Sequence, residues 1–219
     1  GNIPVRRVLK ELGFNNVYVV KEQELPDGAF PTVSYPNPEA EEAFALAMKL
    51  GNEVGADILL ATDPDADRLG VYVKDEKTGD YHVLTGNMSG CLLAEYEISQ
   101  MKEAGQLPKD SALIKTIVTT NLANDIADYY NVELIEVLTG FKYIGEKILG
   151  FETTGKGHYA FGFEESYGCL IGTHARDKDA VVATMALCEA VAYYKTKGMS
   201  LWDKMIEMYE RYGYWRDGV

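Results

Sequence analysis

Cysteines and long apolar runs are scarce in this chain. Its 219 residues contain three cysteines, Cys91, Cys169 and Cys188, widely spaced among apolar or small neighbours. Clustered cysteines are typical of disulfide frameworks and zinc sites, so neither is predicted, and a reducing cytoplasm is the expected location. The longest apolar runs are far shorter than the ~20 residues that cross a bilayer, so no membrane partner is expected.

Positive charge is scarce as well. Thirty-four acidic residues outnumber 21 lysines and arginines, which gives a net charge of −13, and no basic run follows the pattern that tracks a phosphate backbone. Nucleic acid is therefore not an expected partner. A hydrophobic content of 47% with 25% charged residues is ordinary for a globular protein of one large or two modest domains.

An acidic loop follows the apolar run at residues 58–61. Asp63, Asp65 and Asp67 alternate along this loop, and Arg68 comes next. Because alternate side chains of extended backbone point to the same side, the three carboxylates can converge. Like charges this close repel one another unless a cation lies among them, and oxygen ligands favour Mg²⁺ over zinc. A second cation at Arg68 suggests that a phosphate lies between the two.

Other interpretations of this loop differ in the residues that they require. An EF-hand is excluded, because Arg68 stands where its glycine is needed and Lys74 where its bidentate glutamate is needed. A dehalogenase-type phosphatase would use Asp63 as a nucleophile and would carry Thr or Val in place of Asp67. That phosphatase, and an acidic turn that only solvates the loop, remain alternatives.

Two further polar clusters lie in the second half of the chain. Residues 161–168 place Glu164, Glu165 and Ser166 between glycines at a predicted strand end, where they can hydrogen-bond sugar hydroxyls. Residues 174–179 place Arg176 and Lys178 just before a predicted helix, where they can hold a phosphate. A polar turn and a solvated helix start are the simpler interpretations of these clusters.

The hydrophobic periodicity predicts an α/β fold with two successive α/β domains, at residues 1–85 and 86–219. The first begins on a helix pattern at residues 4–13, so its first strand is expected to be missing. Other expected elements are a strand at 17–20, a helix that begins at Pro38 with Asn37 as its cap, a strand at 57–61, a hairpin from 69–73 to 81–84, strands at 111–119, 132–137 and 159–163, and helices at 89–104, 122–130 and 177–197.

Five segments together resemble the α-D-phosphohexomutase family, the phosphoglucomutases and phosphomannomutases. They are the metal loop at 63–68, residues 30–33 with 36–39, the loop at 139–142, the sugar loop at 164–168 and residues 176–179, in the family's order across almost the whole chain. Members have four domains, and this chain resembles the second and third, which implies two successive three-layer α/β/α domains with mixed sheets. The first and fourth domains of the same protein are therefore expected partners that this sequence does not contain.

The resemblance implies a role for particular residues. Asp63, Asp65 and Asp67 would hold Mg²⁺ together with the phosphate of a phosphoserine, and Arg68 would stand near that phosphate. The sugar phosphate would contact Glu164 and Ser166 through its hydroxyls, as well as Lys178, Thr139 and Gly140.

The implied reaction interconverts hexose 1-phosphate and hexose 6-phosphate through a bisphosphorylated sugar, which also serves as activator. No Ser-His-Asn-Pro type segment with the nucleophilic serine occurs here, so no catalytic residue is assigned and the chain alone is expected to be inactive. The paired acids before Ser166 favour a phosphoglucomutase. A phosphopentomutase-like member and a catalytically silent sugar-phosphate-binding module stay open.

Overall fold

The computed structural model describes residues 1–216, so the last three residues of the predicted second domain lie outside the described part. The predicted α/β fold is confirmed. The helices are α1 Asn2–Glu11, α2 Ala45–Val54, α3 Gly86–Glu103, α4 Leu122–Tyr130, α5 Lys142–Thr154, α6 Ala180–Thr196 and α7 Leu201–Tyr212. The strands are β1 Ile58–Thr62, β2 Leu69–Lys74, β3 Tyr81–Leu84, β4 Ser111–Thr116, β5 Glu133–Val137, β6 His158–Glu164 and β7 Gly168–Leu170.

The strands form two sheets. The first has the order β1-β2-β3 and is antiparallel throughout its described strands. The second has the order β5-β4-β6-β7, in which the first three strands are parallel and β7 is antiparallel to β6, so this sheet is mixed as predicted. Because β4, β5 and β6 run in one direction, the loops that follow them meet at one edge of the sheet, which is where ligands bind in such folds.

The strand predicted at residues 17–20 is wrong. These residues lie in neither sheet, and Val17 and Tyr18 are exposed. Apolar β-branched residues favour a strand only where a neighbouring strand can satisfy their backbone groups. Within residues 1–216 no strand lies alongside this segment.

The helix predicted to begin at Pro38 starts later, at Ala45, after a 3-10 turn over Glu41–Phe44. The side chain of Asn37 accepts a hydrogen bond from the Glu39 amide at 2.9 Å, which closes a local turn and caps no helix. The strand predicted at 111–119 likewise ends early, at Thr116, because the Thr119 amide turns back to donate to the Thr116 carbonyl. Both differences are at element ends, where local turns compete with helix and strand.

One hydrophobic core spans both sheets. Leu69, Val71 and Val73 of β2 pack in the same buried cluster as side chains of α3, α6 and α7. A smaller cluster under α5 holds Ile144 and Ile148 against the other face of the second sheet. In the described part of the chain, no helix is long and apolar enough to cross a membrane. The shared core joins the two α/β units along a packed interface.

Glu95 of α3 lies at the centre of a buried charge cluster that holds α7 in place. Its carboxylate accepts hydrogen bonds from Lys204 at 3.1 Å, Arg211 at 3.0 Å, Tyr130 at 3.0 Å and Tyr212 at 2.7 Å. Glu95 is 1% exposed and Lys204 is 5% exposed. A buried cation that loses its partner is strongly destabilising, so this carboxylate is needed once the lysine is buried.

We predict that Glu95→Gln lowers the free energy of unfolding by about 3 kcal/mol, because it leaves Lys204 and Arg211 without their buried counter-ion. Urea unfolding measures the change. Glu207→Gln is the control, since Glu207 pairs with the same two cations at a partly exposed position, and it should cost less than about 1 kcal/mol. Equal losses in the two variants would contradict the prediction.

Glu97, on the same helix, gives stability a pH dependence. Burial and, secondarily, the negative charge of Glu189 on α6 raise the pKa of Glu97 to about 7. Its carboxyl keeps its proton in the folded state over a range in which the unfolded chain has released it. Stability therefore falls as pH rises from about 4.5 to about 7.

We predict that Glu97→Gln removes this loss, which amounts to ~3 kcal/mol between pH 4.5 and 7.5. Chemical unfolding of both proteins across this range measures the difference. If the free energies of unfolding of the two proteins change with pH by the same amount, the raised pKa of Glu97 is contradicted.

Candidate metal and sugar-phosphate site

The acidic loop connects two antiparallel strands. Thr62 at the end of β1 is paired with Leu69 at the start of β2, so residues 63–68 form a closed loop at the edge of the first sheet. Ala66 has a left-handed φ of +59°, and its amide donates to the Asp63 carbonyl at 3.1 Å. This tight turn brings one carboxylate oxygen each of Asp63, Asp65 and Asp67 within 4.8 Å of one another.

The environments of the three carboxylates differ. Asp63 is buried, and it accepts hydrogen bonds from the amides of Asp67 and Arg68 and from the Arg68 guanidinium, at 3.0, 3.0 and 2.8 Å. Burial opposes its ionisation, but these hydrogen bonds outweigh it and hold the pKa of Asp63 below its usual value. Burial raises the pKa of Asp67, and the Lys178 ammonium offsets this only in part.

Asp65 completes a donor set that suits a hard cation. It is exposed, and in the described part of the chain no hydrogen bond or ion pair occupies its carboxylate. Three converging carboxylate oxygens, one of them free, match the ligands that Mg²⁺ takes in proteins, with its other positions left to water or phosphate oxygens. The residues present therefore fit the ion that the sequence predicts.

The sugar loop is a three-residue hairpin between β6 and β7, with Glu164 paired to Gly168. Tyr167 takes the left-handed position that such loops need, with a φ of +64°. Glu164 accepts a hydrogen bond from the Gly140 amide at 2.9 Å, which brings the loop after β5 next to the hairpin. Ser166 is half-exposed, and no hydrogen bond within residues 1–216 occupies its hydroxyl.

Glu165 points to a different set of partners. Its carboxylate accepts hydrogen bonds from Thr116 at 3.0 Å and Thr119 at 2.9 Å, two buried hydroxyls at the end of β4. The two adjacent acids thus have separate roles, one at the cleft and one that anchors the hairpin. Sequence reasoning grouped them together. The threonines at the end of a predicted strand were the available signal that an acceptor lies nearby.

Lys178 connects the metal loop with the sugar loop. Its ammonium lies 2.9 Å from Asp67 and 3.0 Å from Asp177, and 5.8 Å from the centre of the Phe141 ring. Its aliphatic stem packs on Gly168, where a Cβ would come within 2.0 Å of the lysine Cδ, so a larger residue there would displace the lysine stem. The Lys178 side chain therefore contacts the metal loop, the sugar loop and the loop at 139–142.

Two backbone hydrogen bonds fix the same junction. The Leu69 amide donates to the Tyr167 carbonyl at 2.9 Å, and the Ala180 amide at the start of α6 donates to the Ala66 carbonyl at 3.0 Å. The start of α6 is also capped by Asp179, whose side chain accepts from the amides of Val181 and Val182. The metal loop and the sugar loop are thereby held side by side.

The structure brings most of the predicted site residues into one connected group. The first set consists of the metal-loop residues and the lysine that pairs with them: Asp63, Asp65, Asp67, Arg68 and Lys178. The second set is Gly140 with Glu164, and Lys178 connects the two through its contact with Phe141. Thr139 and Ser166 border this group without a hydrogen bond to it in the described residues. Arg176 is turned away, since it pairs with Glu152 and donates to the Thr173 carbonyl.

Comparison with known proteins decides the family. The sequence model described as phosphoglucomutase/phosphomannomutase, alpha/beta/alpha domain II matches residues 1–79, and the one described as domain III matches residues 85–212. This chain belongs to the phosphoglucomutase/phosphomannomutase family. The resemblance seen in the sequence motifs is confirmed, and both units are α/β/α domains of that family.

Similar proteins are longer than this chain. A phosphoglucomutase from Staphylococcus epidermidis is 38% identical over 210 residues, which is 96% of this chain and 37% of the relative. One from Staphylococcus saprophyticus is 36% identical over 213 residues, 97% of this chain and 38% of the relative. The chain thus spans well under half the length of these family members.

Solved structures show the same fold. A phosphoglucomutase/phosphomannomutase family protein from Burkholderia thailandensis has a TM-score of 0.61 at 23% identity, over 86% of this chain and 37% of that one. The phosphoglucomutase parafusin from Paramecium has a TM-score of 0.59 at 19% identity, over 82% and 30%. The two-domain architecture of this chain is thus a portion of a larger family fold.

Asp63 and Asp65 should respond differently to removal of their charge. We predict that Asp65→Asn weakens Mn²⁺ binding by at least about tenfold without a change in melting temperature, because Asp65 offers a ligand and makes no internal contact. Asp63→Asn should lower both the Mn²⁺ affinity and the melting temperature, since the Asp63 carboxylate also accepts hydrogen bonds from the loop amides and from the Arg68 guanidinium. Isothermal titration and thermal unfolding measure the two effects. A melting temperature that falls equally in both variants would contradict this division.

Proposed function

We propose that this chain is the metal-binding and sugar-binding centre of a phosphohexomutase that acts on glucose phosphates in the cytoplasm. The whole enzyme would interconvert hexose 1-phosphate and hexose 6-phosphate by way of a phosphoserine and a hexose bisphosphate. Residues 1–85 and 86–219 would be its second and third domains. The phosphoserine and the remaining phosphate site would come from the first and fourth domains.

One observation carries this proposal: Lys178, whose stem packs on Gly168 of the sugar loop, forms an ion pair with Asp67 of the metal loop. A phosphoryl group that moves between an enzyme serine and a sugar must lie between a cation and the sugar hydroxyls. The paired loops supply such a place. The relatives named phosphoglucomutase, at 36–38% identity, support glucose phosphates as the substrates.

The chain's own residues would bind and orient the sugar. Glu164 and Ser166 would exchange hydrogen bonds with two hydroxyls, and Thr139 and Gly140 would border the same face. These contacts are to hydroxyls and leave the phosphate ends free, so either end of a hexose bisphosphate can be turned toward the metal loop. Arg68 and Lys178 would hold a phosphate by charge-assisted hydrogen bonds.

Asp63, Asp65 and Asp67 would hold Mg²⁺. When bound, the ion supplies positive charge that stabilises the transferring phosphoryl group. The three carboxylates fix its position beside the cleft, and the hydrogen bonds on Asp63 keep that carboxylate ionised for this role. Such charge stabilisation is effective because it is already in place before the reaction begins.

The environment of Asp63 argues against the phosphatase alternative. A nucleophilic carboxylate needs a free oxygen that faces the substrate, whereas both oxygens of Asp63 accept hydrogen bonds inside the loop. Asp63 is also 2% exposed. As a nucleophile, Asp63 would have to give up hydrogen bonds that hold the loop together.

A complementation assay tests the proposal. Phosphoglucomutase activity is measured with Mg²⁺ and glucose 1,6-bisphosphate, on this chain alone and on the chain mixed with separately expressed first and fourth domains of a family member. We predict turnover only in the mixture, and its loss when Glu164→Gln replaces the wild-type chain.

Turnover by this chain alone would contradict the proposal, since no residue here is assigned the part of the phosphoserine. Hydrolysis of a sugar phosphate that disappears with Asp63→Asn would favour a phosphatase instead. A mixture that binds glucose 1,6-bisphosphate without turnover would favour a binding module.

A further inference from the structure

The ammonium of Lys178 occupies a carboxylate that a divalent cation would need. It lies 2.9 Å from Asp67 Oδ2, and the two side chains are 15% and 27% exposed. Asp67 is one of the three carboxylates whose oxygens converge. A partly buried lysine and a metal ion would both be neutralised by this one carboxylate. Two cations bound to the same carboxylate lie only a few ångströms apart and repel each other.

Arg68 does not compete in the same way. Its guanidinium is held at 2.8 Å by Asp63 and lies 3.4 Å from Glu39 and 3.7 Å from Asp67, so it stays in the loop by its other contacts if Asp67 turns away. Lys178 approaches from outside the metal loop, just ahead of α6. Its ammonium is a single point charge at the end of a flexible stem, which can be redirected by rotation of a few bonds.

The packing of Lys178 shows where its ammonium would go. The stem is held against Gly168, so the part free to move is the end of the side chain. That end lies 5.8 Å from the centre of the Phe141 ring, and Gly140, the residue before Phe141, donates a hydrogen bond to Glu164 of the sugar loop. A short movement away from Asp67 therefore brings the positive charge toward the sugar-phosphate cleft, where an anionic ligand would accept it.

We propose that Lys178 is the counter-ion of Asp67 while the loop holds no metal, and that it transfers to the phosphate of the sugar when the metal binds. The lysine then sets the affinity of the metal loop. It also makes metal and sugar phosphate bind cooperatively. The sugar phosphate draws the Lys178 ammonium away from the metal, and the metal releases this ammonium from Asp67 so that it can pair with the phosphate. Linkage requires this coupling to be equal in both directions. The sugar-phosphate half rests on the proposed function, whereas the competition for Asp67 does not.

The test begins with Mn²⁺ alone, titrated calorimetrically into the wild-type chain and into Lys178→Met. We predict that the variant binds Mn²⁺ about tenfold more tightly, since its loop has lost a competing cation. Lys178→Gln, which keeps a polar end, is expected to do the same and serves if the methionine variant does not fold.

Lys195→Met is the matched control. Lys195 lies at the other end of α6 and forms an ion pair with Asp57 at 2.7 Å, just before β1, so its loss removes the same charge and a similar contact between the two units. The Mn²⁺ affinity of Lys195→Met should stay within about twofold of wild type. Lys195 lies at the opposite end of α6 from Lys178, and Asp57 lies at the opposite end of β1 from the metal loop. Loss of this ion pair therefore leaves the metal loop unchanged. Equal affinities in the Lys178 and Lys195 variants would overturn the proposal, as would no binding by either.

The second stage repeats the Mn²⁺ titrations with saturating glucose 1-phosphate, after correction for chelation of Mn²⁺ by the sugar phosphate itself. We expect tighter Mn²⁺ binding by several-fold in wild type and in Lys195→Met, and no further gain in Lys178→Met. If glucose 1-phosphate binds but leaves the wild-type Mn²⁺ affinity unchanged, the transfer of Lys178 is wrong. If it does not bind at all, the sugar-phosphate half of this proposal is wrong, whereas the proposed function is decided separately by turnover in the domain mixture and the competition by the Mn²⁺ result for Lys178→Met.

Discussion

The site depends on the junction at which α6 meets the first sheet. The carbonyl of Ala66 accepts the Ala180 amide at the start of this helix, and the carbonyl of Tyr167 accepts the amide of Leu69 at the start of β2. Each such bond adds only about 1 kcal/mol, but a buried amide left without a partner costs more than that. The pairing of Lys195 with Asp57 joins the far end of α6 to the start of β1. One helix of the second unit is thus attached to both ends of a strand of the first.

Charge compensation explains how the acidic loop keeps its shape. Asp63 is neutralised within the loop by Arg68 and two amides, and Asp67 is neutralised from the second unit by Lys178. Asp65 faces solvent, where its charge is hydrated at little cost. The three carboxylates can therefore converge before any metal arrives. The same arrangement links the charge of the metal loop to a residue that also borders the sugar loop.

The sequence was most informative where chemistry is local. Alternation of Asp63, Asp65 and Asp67 after an apolar run predicted a convergent acidic loop, and the helix predicted at 177–197 corresponds to α6 at Ala180–Thr196. It could not reveal partners that are distant along the chain. The contact of Lys178 with Asp67 depends on how the two sheets are joined, and the anchoring of Glu165 by Thr116 depends on the pairing of β4 with β6. No local sequence pattern encodes either contact. The unpaired segment at 17–20 shows the same limit, because β propensity does not supply a neighbouring strand.

Native-state hydrogen exchange of the Leu69 and Ala180 amides tests the central claim most directly, namely that the two loops are held together by the backbone across this junction. We predict that both amides exchange only when the whole chain unfolds, with the same opening free energy as amides in the middle of β4. Exchange of both at the much lower free energy of a local opening, while β4 stays protected, would show that the two units separate freely and would contradict it.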